Sequence, residues 1–132
     1  MRISPAGHTP SKHGPADWFT GRVRIDALSQ AESPGTVQVN HVTFEPGART
    51  HWHTHPRGQT LIVTSGRGLA CTEGQPPQEI RAGDTVWFPA GARHWHGAAP
   101  ETGMSHIAIQ EAEDGTTTTW QDPVTDTDYS AP

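Results

Sequence analysis

The stretch GARTHWHTHPRGQTLIVTSG, residues 47–66, combines turn-forming residues with histidines at alternating positions. Successive side chains of a β-strand point to opposite faces, so His51, His53 and His55 are expected to share one face. Imidazole binds manganese, iron, nickel, copper and zinc ions, and imidazoles at positions i and i+2 can bind one ion inside a barrel. Gln59 offers an amide oxygen as a further ligand. The stretch therefore predicts a metal site beside a short strand.

A second stretch, GDTVWFPAGARHWHGA, residues 83–98, places another alternating pair, His94 and His96, just after a Pro-x-Gly turn. A single His-x-His pair is equally consistent with surface histidines or with a polar barrel lining. Two such pairs, each after a glycine turn in a short chain, favour one shared metal site.

Short strand-like runs alternate with turn signals through most of the chain. No window repeats apolar residues with the 3.6-residue period of an amphipathic helix. The 14 glycines and 12 prolines recur between the runs and mark turns. This pattern is typical of an all-β sandwich or barrel in a single domain. The predicted strands cover residues 23–28, 37–44, 50–55, 60–64, 68–72, 85–88, 94–97 and 104–111.

The two ends of the chain lack the alternating pattern. Residues 1–16 mix Gly, Pro, Ser and His, and are predicted to form a flexible arm that precedes a barrel over residues 17–112. Residues 113–132 are acidic and rich in threonine, and we expect them to pack on the barrel as a C-terminal extension.

The composition restricts the possible partners. The net charge is −5 with neutral histidines and no run of Lys or Arg forms a basic patch, which argues against nucleic acid. No apolar stretch approaches the roughly 18 residues of a membrane span, and the first residues lack the apolar core of a secretory signal. Cys71 is the only cysteine, so no internal disulfide can form. We therefore expect a cytoplasmic protein.

The two histidine stretches resemble the two motifs of the cupin superfamily. The first, G-(x)5-H-x-H-(x)3,4-E-(x)6-G, matches residues 47–66 with Gln59 at the acidic position. The second, G-(x)5-P-x-G-(x)2-H-(x)3-N, matches residues 83–98 with Ala98 in place of asparagine. The resemblance implies a double-stranded β-helix, or jelly-roll, barrel that is often dimeric. We therefore expect a small-molecule substrate and a homodimer or higher homo-oligomer. It also implies one divalent metal ion, held by His53, His55, Gln59 and His94.

The wider sequence is similar to the bacterial cupin hydroxynitrile lyases, manganese-dependent enzymes that interconvert cyanohydrins with HCN and an aldehyde or ketone. The similarity is carried by residues 14–21, 42–49, 52–65, 83–98 and 106–110. It implies Mn(II) as the metal, although His and Gln ligands also admit iron, nickel, cobalt and zinc. The residues that the similarity places around the substrate are the catalytic candidates His96, His106 and Gln110 and the pocket candidates Asn40 and Val42.

Gln59 changes the chemistry expected of the metal. A glutamate would neutralise one unit of its charge, an interaction worth roughly 4 kcal/mol at about 4 Å with an effective dielectric of about 20. The neutral amide leaves the full charge on the ion, which favours Lewis-acid chemistry and makes oxidation to the 3+ state harder. We therefore expect a hydroxynitrile-type lyase with His106 as base. The alternatives are a cupin oxygenase acting on a small organic substrate and a non-enzymatic metal- or ligand-binding cupin.

Overall fold

All 132 residues are described by a computed structural model, which contains twelve β-strands and one short α-helix. The elements are β1 (Lys12–His13), β2 (Phe19–Thr20), β3 (Val23–Gln30), β4 (Val37–Phe44), β5 (Arg49–Thr50), β6 (His53–Thr54), β7 (Gln59–Thr72), β8 (Gln78–Arg81), β9 (Thr85–Phe88), β10 (His94–Ala98), β11 (Met104–Glu111), β12 (Thr119–Trp120) and α1 (Asp126–Tyr129). No helix has the length and apolar character that crossing a membrane requires.

Two curled antiparallel sheets enclose the apolar core. One sheet has the strand order β1-β3-β4-β11-β7-β9. In the other, β10 lies between β7 and the short strands β5 and β6, with β8, β2 and β12 at the edges. Phe44, Leu61, Val63, Phe88 and Met104 are buried between the sheets. This architecture confirms the all-β, single-domain barrel predicted from the sequence.

The longest strand, β7, belongs to both sheets. Its first half pairs with β11 and β9, and its second half pairs with β10 and β8. Gly66 lies between the halves with a φ of 75°, and a Cβ there would lie 1.9 Å from the carbonyl oxygen of Gly103. Only glycine fits this position. The prediction of separate strands at residues 60–64 and 68–72 is therefore wrong, because the chain keeps its pairing while it passes from one sheet to the other.

The predicted strand at residues 50–55 is also wrong as a continuous element. The structure divides it into β5 and β6, which both pair with β10. Between them, the amide of His51 donates to the carbonyl of Trp18 at 2.7 Å and that of Trp52 to the carbonyl of Asp122 at 2.9 Å. These bonds to both ends of the chain replace ladder bonds, and so interrupt the strand. The sequence pattern also missed β1, β2, β8, β12 and α1, which are too short to show a period.

Both ends of the chain contact the barrel. Near the N-terminus, β1 adds an edge strand to β3. Near the C-terminus, the Tyr129 hydroxyl donates to the carbonyl of Ala98 at 2.6 Å. The buried guanidinium of Arg49 donates to the carbonyl of Val124 at 2.8 Å and lies 4.4 Å from the centre of the Tyr129 ring. The C-terminal segment thus packs with Trp95, on the face of β10 opposite to His94 and His96, while β1 extends the edge of the other sheet.

Candidate metal centre

Strand register brings the candidate histidine ligands together. His53 on β6 lies directly opposite His94 on β10, and His55 follows β6 on the same face as His53. The ring centroids are 4.2 Å apart for His53 and His94, 5.0 Å for His53 and His55, and 5.3 Å for His55 and His94. All three side chains are buried. Histidines up to 41 positions apart in the sequence thus converge on one point of the interior.

Each of these three rings has its Nδ1 atom hydrogen-bonded to a backbone carbonyl. The Nδ1 to oxygen distances are 2.9 Å from His53 to His51, 2.8 Å from His55 to Thr117, and 2.9 Å from His94 to Ala92. Because a carbonyl oxygen only accepts, Nδ1 carries the proton in each neutral ring and Nε2 keeps a lone pair. Metal-binding histidines are commonly oriented in this way, with the second nitrogen donating to an oxygen.

Gln59 directs a fourth donor atom at the same point. Its Oε1 lies 3.1 Å from Nε2 of His94, while its Nε2 donates to Oε1 of Gln110 at 3.1 Å. Two lone pairs therefore face each other across the short distance between His94 and Gln59. In addition, Nε2 of His55 is buried without a hydrogen-bond partner. A divalent cation satisfies all these acceptors at once, so the residues present fit a metal ion.

Burial keeps these histidines neutral. Loss of solvation lowers the pKa of His94 to about 3, lowers that of His53 well below its usual range and also lowers that of His55. The positive charge that a protonated neighbour would place nearby lowers the pKa of His53 further. At neutral pH, the Nε2 lone pairs are therefore available to a metal.

This burial predicts an acid-sensitive fold. Burial lowers the pKa of His94 and of His106 to about 3 in the folded chain, against 6.5 for an unburied histidine, so between these values the unfolded chain binds more protons. The free energy of unfolding of the metal-free protein should therefore fall as the pH drops below 6.5, by about 1.4 kcal/mol per pH unit for each such histidine. Urea unfolding between about pH 7 and pH 5 measures the slope. The exposed-site variant His8→Asn should keep this slope, and a flat profile would contradict the prediction.

A second group of three histidines shares two members, His53 and His94, with this ligand set. The ligand nitrogens of His53, His94 and His96 all lie within 4.8 Å of one another. The ring of His96, however, lies 5.3 Å from that of His53 and 5.9 Å from that of His94, farther than the corresponding 5.0 Å and 5.3 Å of His55. His96 also uses Nδ1 in a hydrogen bond to His106. The distances between ligand nitrogens thus favour His96 as the third ligand, whereas the ring distances and the hydrogen bonding favour His55.

His96 and His106 form a buried pair next to the centre. Nε2 of His106 lies 2.9 Å from Nδ1 of His96, so one ring donates to the other. The outer nitrogens, Nε2 of His96 and Nδ1 of His106, are buried without partners. Burial is the main cause that lowers the pKa of both rings, to about 3 for His106 and well below the usual range for His96. Whichever ring donates, one of the two outer nitrogens keeps a lone pair. The two histidines together can therefore accept one proton from a bound molecule.

A cavity of about 760 Å³ connects the centre with the surface. Register on β4 and β11 sets His106 opposite Val42 and Ala108 opposite Asn40. The candidate residues that line the cavity are Asn40, Val42, His53, His55, Gln59, His96, His106 and Gln110. His94 lies behind this wall and is fully buried. The structure thus brings the candidate ligands and the candidate substrate residues into one site.

Sequence reasoning missed much of the cavity wall. Residues 115–118 and several N-terminal residues, among them Lys12 and His13, also line it. These segments carry no periodic pattern that would have placed them there. Gln38 lines the cavity as well, and strand alternation could have found it, because it lies two residues before Asn40 on the same face of β4.

Comparison with known proteins finds a matching family and relatives that are similar in sequence and in structure. Residues 40–109 match the family described as the cupin domain. The chain is 59% identical over 129 residues to an (R)-mandelonitrile lyase of Granulicella tundricola, with 98% of each protein covered. It is 29% identical over 96 residues to a dimethylsulfoniopropionate lyase of Ruegeria pomeroyi, covering 73% of this chain and 59% of that protein. A cupin-like protein from Thermotoga maritima, 43% identical, superposes with a TM-score of 0.84 over 89% of each chain.

Proposed function

This chain belongs to the cupin family, and from that premise we propose that it is a metal-dependent hydroxynitrile lyase. It interconverts a cyanohydrin with HCN and an aldehyde or ketone. One observation carries the proposal: a neutral set of four metal donors and a buried histidine pair lie together at the wall of one cavity. The 59% identity to an (R)-mandelonitrile lyase over nearly the whole chain supports the same reaction.

The metal ligands in this proposal are His53, His55, Gln59 and His94. When bound, the ion supplies a concentrated positive charge that stabilises negative charge developing on the substrate. Gln59 adds no charge of its own, and the three imidazoles are neutral. The donor set therefore leaves the charge of the ion undiminished, which supports a lyase over an oxygenase.

The assignment of His55 rather than His96 as the third ligand predicts unequal effects on metal affinity. His55→Ala removes a donor and should weaken binding by at least about 100-fold, whereas His96→Ala should weaken it by less than about tenfold. Competition with a coloured chelator, without substrate, measures both dissociation constants. The assignment is wrong if His96→Ala is the more damaging of the two.

His106 is the proposed base. Its ring contacts those of His96 and Phe44, whereas the His96 ring also contacts those of His53 and His94. A cation at the centre therefore opposes protonation of His106 less strongly than protonation of His96. His106 takes the hydroxyl proton, and the O–H electron pair forms the carbonyl bond as the carbon–carbon bond to cyanide breaks. Cyanide leaves with that bonding pair and receives the proton, which restores the neutral histidine pair.

The remaining cavity residues orient the substrate. Gln110 donates one N–H to Gln38 and accepts from Gln59, so its second N–H is available to the nitrogen of the departing cyanide. His96 holds the base in place through their shared hydrogen bond. Asn40 and Val42 shape the pocket from β4. The apolar side chains that accept an aryl or alkyl group are Phe19, Ile25, Val42, Ala108 and Trp120.

Cleavage of (R)-mandelonitrile tests the function. Protein loaded with Mn(II) should release benzaldehyde, followed by its absorbance, and an equal amount of HCN, followed by a colorimetric cyanide assay. The same preparation treated with a chelator serves as the control and should fall to the buffer rate. Metal-loaded protein that neither cleaves mandelonitrile nor forms it from benzaldehyde and HCN would overturn the proposal.

The identity of the metal, the oligomeric state and the cellular location are part of the same proposal. Manganese is the proposed metal because it suits a His and Gln donor set and the similarity to manganese-dependent lyases. A homodimer is supported by Ile62 and Trp87, which are 37% and 60% exposed on the neighbouring strands β7 and β9. A cytoplasmic location is supported by the single unpaired cysteine, Cys71.

A further inference from the structure

Three glutamines lie side by side across three adjacent strands. In the strand register, Gln38 on β4 lies opposite Gln110 on β11, and Gln110 lies opposite Gln59 on β7. Their side chains are joined in the same order. Gln59 donates from Nε2 to Oε1 of Gln110 at 3.1 Å, and Gln110 donates from Nε2 to Oε1 of Gln38 at 2.8 Å. A chain of amides thus runs from the metal centre along the cavity wall to Gln38.

We infer that Gln38 is a positioning residue, which through this amide chain turns the oxygen of Gln59 toward the metal centre. An amide presents an acceptor on one side and donors on the other, so each hydrogen bond fixes the orientation of the next amide. The oxygen of Gln38 accepts from Gln110 and thereby directs the oxygen of Gln110 toward Gln59. That oxygen accepts from Gln59, whose own oxygen then faces Nε2 of His94 at 3.1 Å.

Because the amides of Gln59 and Gln110 are buried, their orientation decides which atom faces the metal centre. Gln59 and Gln110 are only 4% and 6% exposed, so water is a poor substitute for a missing partner. A donor at position 38 would draw the oxygen of Gln110 toward itself and turn the nitrogen of Gln110 toward Gln59. Gln59 would then present its NH₂ group to the centre, and an amide NH₂ has no lone pair to give to a cation. The acceptor at position 38 therefore acts on the metal through two intervening side chains.

The inference rests on the proposed role of Gln59 as a ligand, but it does not depend on the reaction. Metal affinity measured without substrate tests it separately. If metal affinity depends on position 38 as expected but the protein cleaves no cyanohydrin, the proposed lyase fails and the role of Gln38 stands. If the lyase activity is present but metal affinity does not change with substitutions at position 38, the role of Gln38 is wrong and the proposed lyase is unaffected.

Three substitutions at position 38 change the hydrogen bonding that the side chain offers. Gln38→Glu can only accept, Gln38→Met does neither, and Gln38→Lys can only donate. We expect Mn(II) affinity to be retained or increased in Gln38→Glu, to fall about tenfold in Gln38→Met, and to fall at least about 100-fold in Gln38→Lys. Competition with a chelator gives each dissociation constant, and thermal unfolding of the metal-free variants checks that each has folded.

A matched pair of substitutions at another position separates the effect of hydrogen bonding on metal affinity from the effect of charge. Ala27 also lines the cavity and lies opposite Asn40, outside the amide chain. Ala27→Glu and Ala27→Lys introduce the same charges, and we expect their affinities to differ by less than about tenfold, since the charges are solvent-screened. The inference is overturned if Gln38→Met binds Mn(II) like the unmodified protein, or if the difference between Glu and Lys at position 38 is no larger than at position 27. Should Gln38→Lys fail to fold, Gln38→Met still decides.

Discussion

Replacing His106 with asparagine is expected to slow cyanohydrin cleavage by about 100- to 10,000-fold while the metal content stays unchanged. His106 is fully buried, and its Nε2 atom lies 2.9 Å from Nδ1 of His96, next to the proposed substrate. Asparagine keeps a polar side chain at the position but cannot take up a proton at neutral pH. The loss corresponds to about 3–5 kcal/mol of transition-state stabilisation. Initial rates of HCN release, with elemental analysis of the same samples, measure both quantities.

The matched control is Ile107→Val, on the neighbouring residue of β11, which faces away from the cavity. It should keep both its activity and its metal. Two results would contradict the role of His106 as base: activity within about tenfold of the unmodified protein, or loss of metal from His106→Asn in proportion to the loss of activity.

Replacing His53 with alanine is expected to remove both the metal and the activity. Its ring lies at the middle of the cluster, within 5.3 Å of the ring centroids of His55, His94 and His96. The variant loses a ligand that is oriented by a backbone hydrogen bond, so the dissociation constant should rise by more than about 100-fold. Activity at low metal concentration should be lost and should return only in part when metal is added in excess. A titration with Mn(II), followed by HCN release, measures the effect.

His41→Asn provides the control for the loss of a histidine as such. Nε2 of His41 hydrogen-bonds to the hydroxyl of Thr64 at 3.1 Å on the outer face of the sheet. We expect this variant to bind one ion with unchanged affinity. Full metal occupancy in His53→Ala under the same conditions would mean that His53 is not a ligand.

Spacing along the chain was enough to predict which of the candidate histidines share a strand face. The i, i+2 alternation of His53 with His55 and of His94 with His96 places each pair on one strand face, whatever the details of the fold. The same rule set His106 and Gln110 on one face of β11, and the structure places both on the cavity wall. These predictions of shared strand faces therefore depend only on local periodicity.

Features that depend on register between distant strands could not be predicted in this way. The alignment of Gln38 with Gln110 and Gln59 is visible only when β4, β11 and β7 are paired. The bend of β7 at Gly66 depends on the close approach of Gly103, which is remote in sequence. The walls that residues 9–15 and 115–118 add to the cavity follow from contacts of terminal segments without any repeating pattern.

The dependence of HCN release on metal occupancy tests the central proposal most directly. The protein is stripped of metal, reloaded in steps with Mn(II), and divided at each step between elemental analysis and a cleavage assay with (R)-mandelonitrile. We expect the rate to rise in proportion to occupancy, from the buffer rate without metal to a plateau at one ion per chain. A stripped protein that keeps its full rate, or a fully loaded protein that releases no more HCN than buffer, would contradict the proposal.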